Sequence, residues 1–357
     1  MINKKKLSAL LLSGTMFMSM NTNVFASNLP SGGVEGTEQN PAKATITKNF
    51  EFSEGINTPN ATFKFTAEKI TNDAPDATIG DINYTQGDNG TLSNGKYSVK
   101  KTTEITFGNF PHAGEYDYNV KETNEGVGGI TYDTKEYKVH VYVANSNAMD
   151  GKTYVKAITS ENGGEKAPIE FVNTYKKDTS LLIEKNVTGD LADLTKQFEF
   201  QINLKKSATS DITKFEGNII RKDGKIEPVT YTAENTETFK LANGDKLKFE
   251  SIPAGTKYEV KEIGASDGYT PSITVIENGN ETSNNRTVAE KDGISSKSNS
   301  NDNLIGEGEN KVTFTNTYND KPITGIVMNN IPFILMISFA VLGFGALAII
   351  KRRKTIR

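Results

Sequence analysis

Six polar residues of this 357-residue chain have types and positions that could do chemistry together: Lys48, Glu122 and Asn173, and Lys185, Glu262 and Asn316. Each stands in phase with a row of apolar side chains. In an extended strand, residues two apart share a face. Lys48 therefore shares one with Ile46 and Phe50, and Lys185 with Ile183 and Val187. Glu122 follows Tyr118 and Val120, and Glu262 follows Tyr258 and Val260. Asn173 lies in the row Ile169, Phe171, Tyr175, and Asn316 in the row Val312, Phe314, Tyr318. Burying such groups without partners is costly, so something must hold them.

Two arrangements meet that demand. One is a buried Lys–Glu ion pair with an Asn bonded to it, in which desolvation opposes the Coulomb gain and little net stability results. The other is reactive. Burial lowers a Lys pKa and raises a Glu pKa, so a neutral amine can face a carboxylic acid. The amine is then a nucleophile, and the acid can polarise the Asn carbonyl and move protons. Attack on the Asn Cγ with loss of ammonia leaves an intramolecular isopeptide bond, with proximity in the core supplying much of the rate.

The elements that must position these residues read as short β-strands. Tyr137, Val139, Val141 and Val143 alternate with polar neighbours, as do residues around Ile183, Val187, Phe198 and Phe200. No long stretch has helical apolar spacing outside the termini, and short strands at this spacing predict β-sandwiches. Segments 71–95 and 283–310, rich in Asn, Ser, Gly and Asp, are expected to be long exposed loops rather than strands.

The body repeats itself. Thr45-Ile46-Thr47-Lys48-Asn49-Phe50 overlies Leu182-Ile183-Glu184-Lys185-Asn186-Val187, and Tyr118-Asn119-Val120-Lys121-Glu122 overlies Tyr258-Glu259-Val260-Lys261-Glu262. Ile169-Glu170-Phe171-Val172-Asn173-Thr174-Tyr175 overlies Val312-Thr313-Phe314-Thr315-Asn316-Thr317-Tyr318. Such small drift in offset marks a duplicated domain, with the break near Tyr175-Lys176-Lys177-Asp178.

Composition removes several functional classes. The chain has no Cys and no Trp and only two His, so disulfides, thiolate metal sites and cysteine nucleophiles are excluded. His112 lies in a Phe-Pro-His-Ala-Gly turn and His140 within a strand pattern. Neither has further ligands spaced for a metal, so no metal site and no cofactor are expected. The net charge of −3 conceals an acidic middle, because three Lys lie within residues 1–26 and five Lys/Arg within 326–357. An acidic body argues against nucleic acid as a partner.

The ends carry an address. Lys4, Lys5 and Lys6, the apolar run from Leu7 to Met20, and Val24-Phe25-Ala26 form a secretory signal with expected cleavage after Ala26. Near the other end, Lys321-Pro322-Ile323-Thr324-Gly325 precedes an apolar run from Ile331 to Ile350 and the basic cluster Lys351, Arg352, Arg353, Lys354. Such a run is long enough to span a bilayer as a helix, with the basic end cytoplasmic.

This order of motif, span and basic tail resembles the cell-wall sorting signal of Gram-positive bacteria. The resemblance implies cleavage by a sortase between Thr324 and Gly325 and transfer of the Thr carbonyl to an amine. Lys321 stands where the commonest form has Leu. The duplicated first strand, Tyr-x-Val-x-Glu strand and Phe-x-Asn last strand look like the two-domain major pilins of the streptococcal T-antigen (FctA) type, over residues 43 to 350.

That resemblance implies an all-β chain of two tandem Ig-like (CnaB-like) sandwiches, with a cleaved signal peptide and a C-terminal membrane-spanning sorting helix. The divisions are 1–26 signal, 27–42 linker, 43–175 and 176–319 the two isopeptide domains, and 320–357 the sorting region. It pairs Lys48 with Asn173, assisted by Glu122, and Lys185 with Asn316, assisted by Glu262. Lys166, seven residues before Asn173, is implied as the amine that accepts Thr324 of another copy.

The expected role is structural, not enzymatic: the shaft subunit of a sortase-assembled pilus on the Gram-positive surface. Its partners would be identical subunits, a pilin-type sortase, minor tip or base pilins, and the cell wall. The alternative is a wall-anchored adhesin with the same domains that is never polymerised.

Overall fold

The computed structural model describes residues 33–149, 151–264, 266, 268–282, 288–289, 293–297, 301–318 and 335–344. The signal segment, the motif Lys321–Gly325 and the basic cluster 351–354 lie outside these residues. So does the apolar run 331–350, apart from a helix over 335–344. No helix among the described residues is long and apolar enough to cross a membrane.

The chain is all-β, in two successive sandwiches. In the first, one sheet orders Gly33–Glu35, Thr153–Asn162, Glu136–Asn145, Gly114–Glu122 and Phe65–Lys69, with Glu165–Lys166 also paired to Thr153–Asn162. The facing sheet orders Ile130–Thr131, Glu170–Tyr175, Ala44–Ser53, Lys96–Phe107 and Ala77–Ile79. In the second, one sheet centres on Lys246–Pro253, Asp178–Thr188, Lys311–Tyr318 and Tyr269–Glu277. Its facing sheet holds Thr236–Leu241, Phe198–Lys205, Lys257–Ile263 and Gly293–Ser295.

The alternation read from the sequence is what buries these strands. Tyr137, Val139, Val141 and Val143 are all buried, as are Ile183, Val187, Phe198 and Phe200. Two apolar clusters result, one around Phe50, Phe63, Tyr118 and Phe171, the other around Phe200, Phe249, Tyr258 and Phe314. In each half the first long strand and the last are hydrogen-bonded neighbours running parallel: Ala44–Ser53 with Glu170–Tyr175, and Asp178–Thr188 with Lys311–Tyr318.

The two expected loops are only partly loops. Segment 71–95 contains Ala77–Ile79, Ile82–Tyr84 and Thr91–Ser93, and 283–310 contains Val288–Ala289, Gly293–Ser295 and Asn303–Leu304. Composition misled because a few buried anchors outweigh many polar neighbours. Ile82 and Tyr84 sit one period apart in the first core, and Ile294 and Ile305 enter the second. Asn310 adds a polar anchor by donating from Nδ2 to the carbonyls of Gly306 and Gly308, 2.9 Å each.

The halves meet through a small polar junction. The Ser53 hydroxyl is 2.5 Å from that of Ser207 and 2.7 Å from that of Thr209. Glu307 accepts from the Asn57 backbone N–H at 3.0 Å and forms an ion pair with Lys177 at 3.0 Å. Ala254, from the second half, is buried within the first apolar cluster.

Candidate functional site

The fold brings the six polar residues into two triads. Parallel pairing sets Lys48 opposite Phe171 and Asn173 opposite Phe50, so Lys48 and Asn173 lie diagonally on one inward face. Glu122 ends a strand of the opposite sheet, two residues after the buried Val120 and on the same face. Its Oε1 lies 2.7 Å from Lys48 Nζ and accepts a 2.8 Å hydrogen bond from Asn173 Nδ2. Both side chains of the Lys–Glu pair have no solvent exposure. The amine sits 4.5 Å from the centre of the Phe63 ring.

The second triad repeats the plan. Lys185 lies opposite Phe314 and Asn316 opposite Val187, while Glu262 comes from the facing sheet. Lys185 Nζ donates to Glu262 Oε1 at 2.9 Å and Oε2 at 3.1 Å, and Asn316 Nδ2 donates to the same Oε1. The amine lies 4.3 Å from the Phe198 ring centre.

Burial dominates the electrostatics. Desolvation pushes the Lys48 and Lys185 amines each down to about 8, against the opposing pull of their Glu partners. The same desolvation pushes Glu122 and Glu262 up, although the neighbouring ammonium pulls the other way. An amine moved down and a carboxyl moved up narrow the gap between the charged pair and the neutral pair. In the first triad Lys48 Nζ is close to Oε1 but off hydrogen-bond alignment, and the buried Glu122 Oε2 has no hydrogen-bond partner among the described residues. An orphaned buried carboxylate oxygen favours the protonated acid.

Such a site can join amine to carboxamide. One carboxyl oxygen touches both the nitrogen that must lose a proton and the nitrogen that must leave as ammonia. That is the geometry a proton shuttle requires.

Several participants escaped the sequence reading. Phe63 and Phe198 floor the amines, and the Tyr84 hydroxyl donates to the Lys48 carbonyl at 2.8 Å. Asp133 donates its backbone N–H to Asn173 Oδ1 at 2.8 Å. Its position after Tyr132, in a segment with no strand pattern, gave no signal.

Lys166 lies on the two-residue strand Glu165–Lys166, exposed, opposite Glu161. Asn162 and Glu165 pair across Gly163 and Gly164, which have φ of 62° and 86°. Two consecutive positive-φ residues make the tight turn that fits a twisted hairpin, and glycine adopts it without strain. Thr324 lies outside the described residues.

The fold brings to one His carboxylates that spacing along the sequence did not show. His140 pairs across strands with Asp117, placing Nδ1 2.8 Å from Asp117 and 3.1 Å from Glu115. These three residues could offer ligand atoms within 4.8 Å of one another. Cross-strand register, invisible in sequence spacing, creates the group. Lys138 already holds Asp117 at 2.8 Å, which makes this an ion-pair network on the outer face of the sheet.

The chain is similar to proteins of known family. Residues 44–176 match the FctA family, described as a Spy0128-like isopeptide containing domain, and residues 179–318 match the domain of unknown function DUF7601. The chain is 30% identical over 374 residues to a pilin of Streptococcus pyogenes serotype M1, covering 98% of this chain and 99% of that one. A stretch of 87 residues, 24% of this chain and 12% of the relative, is 38% identical to the pilus tip adhesin Cpa of Streptococcus pyogenes. Among solved structures, the major pilin protein T3.2 of Streptococcus pyogenes is similar at 26% identity and a TM-score of 0.38, covering 81% of this chain and all of that one. The chain belongs to the pilin family, as a major pilin of the streptococcal T-antigen type, and its role is that of a structural pilus subunit rather than an enzyme.

Proposed function

We propose that each half of this shaft subunit locks itself with an isopeptide bond, Lys48 to Asn173 through Glu122 and Lys185 to Asn316 through Glu262. Subunits are then joined from Thr324 of one copy to Lys166 of the next. The observation that carries the first part is the shared carboxyl oxygen, 2.7 Å from Lys48 Nζ and 2.8 Å from Asn173 Nδ2, with the same bridge rebuilt in the second half.

In the reaction, the Lys proton passes to Glu and the neutral amine attacks the Asn Cγ. Glu gives its proton to Nδ2 and takes the second proton of the attacking nitrogen, and the tetrahedral carbon collapses with loss of ammonia. Amine and carboxamide become a secondary amide plus ammonia, and Glu is regenerated, so no outside reactant is needed. Closing a loop between Lys48 and Asn173 restricts the unfolded chain by about 5 kcal/mol on the loop-entropy account.

In the same reading the chain is exported and cut after Ala26, with 43–175 and 176–319 as the two locked units and 320–357 as the sorting region; the stretch 27–42, expected as a linker, instead adds Gly33–Glu35 as an edge strand to the first unit and buries Ala42 in its core. A pilin-type sortase cuts after Thr324 in Lys321-Pro322-Ile323-Thr324-Gly325, while the 331–350 run and its basic tail hold the precursor in the membrane. The exposed hairpin at Lys166 supports the acceptor role, and the polymer ends at the cell wall with minor pilins at tip or base.

The purified chain should weigh two ammonia molecules less than its sequence; full mass would refute both bonds. A second reading, an unpolymerised wall-anchored adhesin, draws on the stretch similar to the tip adhesin Cpa. Covalent ladders that survive boiling in detergent, formed in cells with the cognate sortase, decide for the shaft; monomer alone decides for the adhesin.

A further inference from the structure

We infer that Asp133 is a positioning residue that holds the Asn173 carbonyl for attack, and that the first half therefore closes its bond faster than the second. This rests on the isopeptide reading above and concerns what sets the rate of each bond.

The Asn173 carbonyl oxygen accepts the Asp133 backbone N–H at 2.8 Å. As the Lys48 amine adds to Cγ, the carbonyl electron pair moves onto this Oδ1. A fixed N–H aimed at it stabilises the negative charge that develops there. The proton leaving Lys48 goes to Glu122, and the leaving nitrogen departs as ammonia on the other side of Cγ.

The side chain of Asp133 fixes that N–H. Its Oδ2 accepts the backbone N–H of Val172 at 2.8 Å, and its Oδ1 accepts that of Lys135 at 2.9 Å. Val172 directly precedes Asn173, so one carboxylate ties the donor loop to the strand carrying the electrophile. The local fold explains why. The partner strand Ile130–Thr131 pairs with Tyr175 and Thr174 and then leaves the ladder. Beyond that departure, the Asp133 N–H is free of strand pairing and turns to the Asn173 side chain.

The second half lacks this device among the described residues. There the partner strand pairs without a break from Tyr269–Tyr318 to Ile276–Lys311. The residue opposite Asn316 is Pro271, which has no N–H to offer. Asn316 Oδ1 is buried with no hydrogen-bond partner among the described residues. The two triads thus share nucleophile and proton shuttle and differ at the carbonyl oxygen.

The test follows each bond separately in the full chain. Chain made in a short labelled pulse is sampled after synthesis, digested, and the Lys48–Asn173 and Lys185–Asn316 linked peptides are quantified by mass spectrometry. The wild type should form the first link with a rate constant at least about tenfold larger, since losing a whole oxyanion donor costs about 10²- to 10³-fold. Asp133→Ala should slow the first link about tenfold or more and leave the second unchanged. Asp133→Asn keeps an acceptor for Val172 and should restore the first link to within about threefold of wild type. A role in stability alone would not produce that rescue while sparing the second link. Unchanged kinetics in a folded Asp133→Ala chain would overturn the proposal. If that variant does not fold, the wild-type ratio decides, and equal rates or a faster second link would overturn it. Absence of both links from the wild type would instead sink the isopeptide reading itself.

Discussion

Lys48 and Asn173 stand two register positions apart on adjacent parallel strands, Lys48 facing Phe171 and Asn173 facing Phe50. Lys185 and Asn316 repeat the offset, facing Phe314 and Val187. Neighbouring side chains on one face at this diagonal are within reach of each other. Because these are the first long strand and the last of each half, a bond between them would carry tension from one to the other without loading the remaining strands.

Removing the shuttle tests the internal chemistry. Glu122→Ala and Glu262→Ala should each restore the mass of one ammonia. Each leaves a buried Lys without its partner and abolishes the cross-link, so the affected half should melt roughly 15 °C or more below wild type. Calorimetry together with intact mass reads both effects. Unaltered mass in either variant would show that carboxylate to be dispensable.

The rate of bond formation should depend on pH as a bell. The reactive pair of neutral amine and carboxylic acid holds one proton, the same number as the ion pair from which it forms. The rate is therefore level while the pair keeps that proton. Below the raised Glu value a second proton loads the amine, and the rate falls. Above about 8, where burial has placed the Lys amines, the shared proton is lost, the acid can no longer return one to the leaving nitrogen, and the rate falls again. Pulse-labelled chain chased at different pH values measures this. A rate that climbs steadily to pH 10 would show that a free amine alone suffices.

Assembly has its own test. Lys166→Ala should abolish the detergent-resistant ladders while leaving the intramolecular mass deficit of two ammonia intact. Ladders that persist would place the acceptor on another lysine.

At the junction, Gly255 has φ +89°, and a Cβ there would run into the Cβ of Ser53. Gly255→Ala should cost about 1–3 kcal/mol through strain and contact. It should also loosen the Ser53–Ser207 and Glu307 contacts and free the already exposed connection at Lys176–Lys177 to bend into a protease. Trypsin cleavage there should rise several-fold with both cross-links retained; unchanged cleavage would mean that the junction does not guard the connection.

The repeat, the strand periodicity and the six in-phase polar residues were legible in the sequence because strand geometry forces a period of two. A Lys, Glu or Asn on the apolar phase, found twice, has little chance of being surface. What periodicity cannot give is which strands lie side by side. That choice brought Glu122 across from the opposite sheet, set Asp117 beside His140, and turned the Asp133 N–H onto Asn173.

The chain alone determined which residues had to be buried and that they needed partners, since burial follows local alternation. Only the packing of one sheet on another decided who those partners are and what holds each carbonyl oxygen. Such contacts join residues tens of positions apart, and their distances are fixed by the sandwich rather than by spacing along the chain.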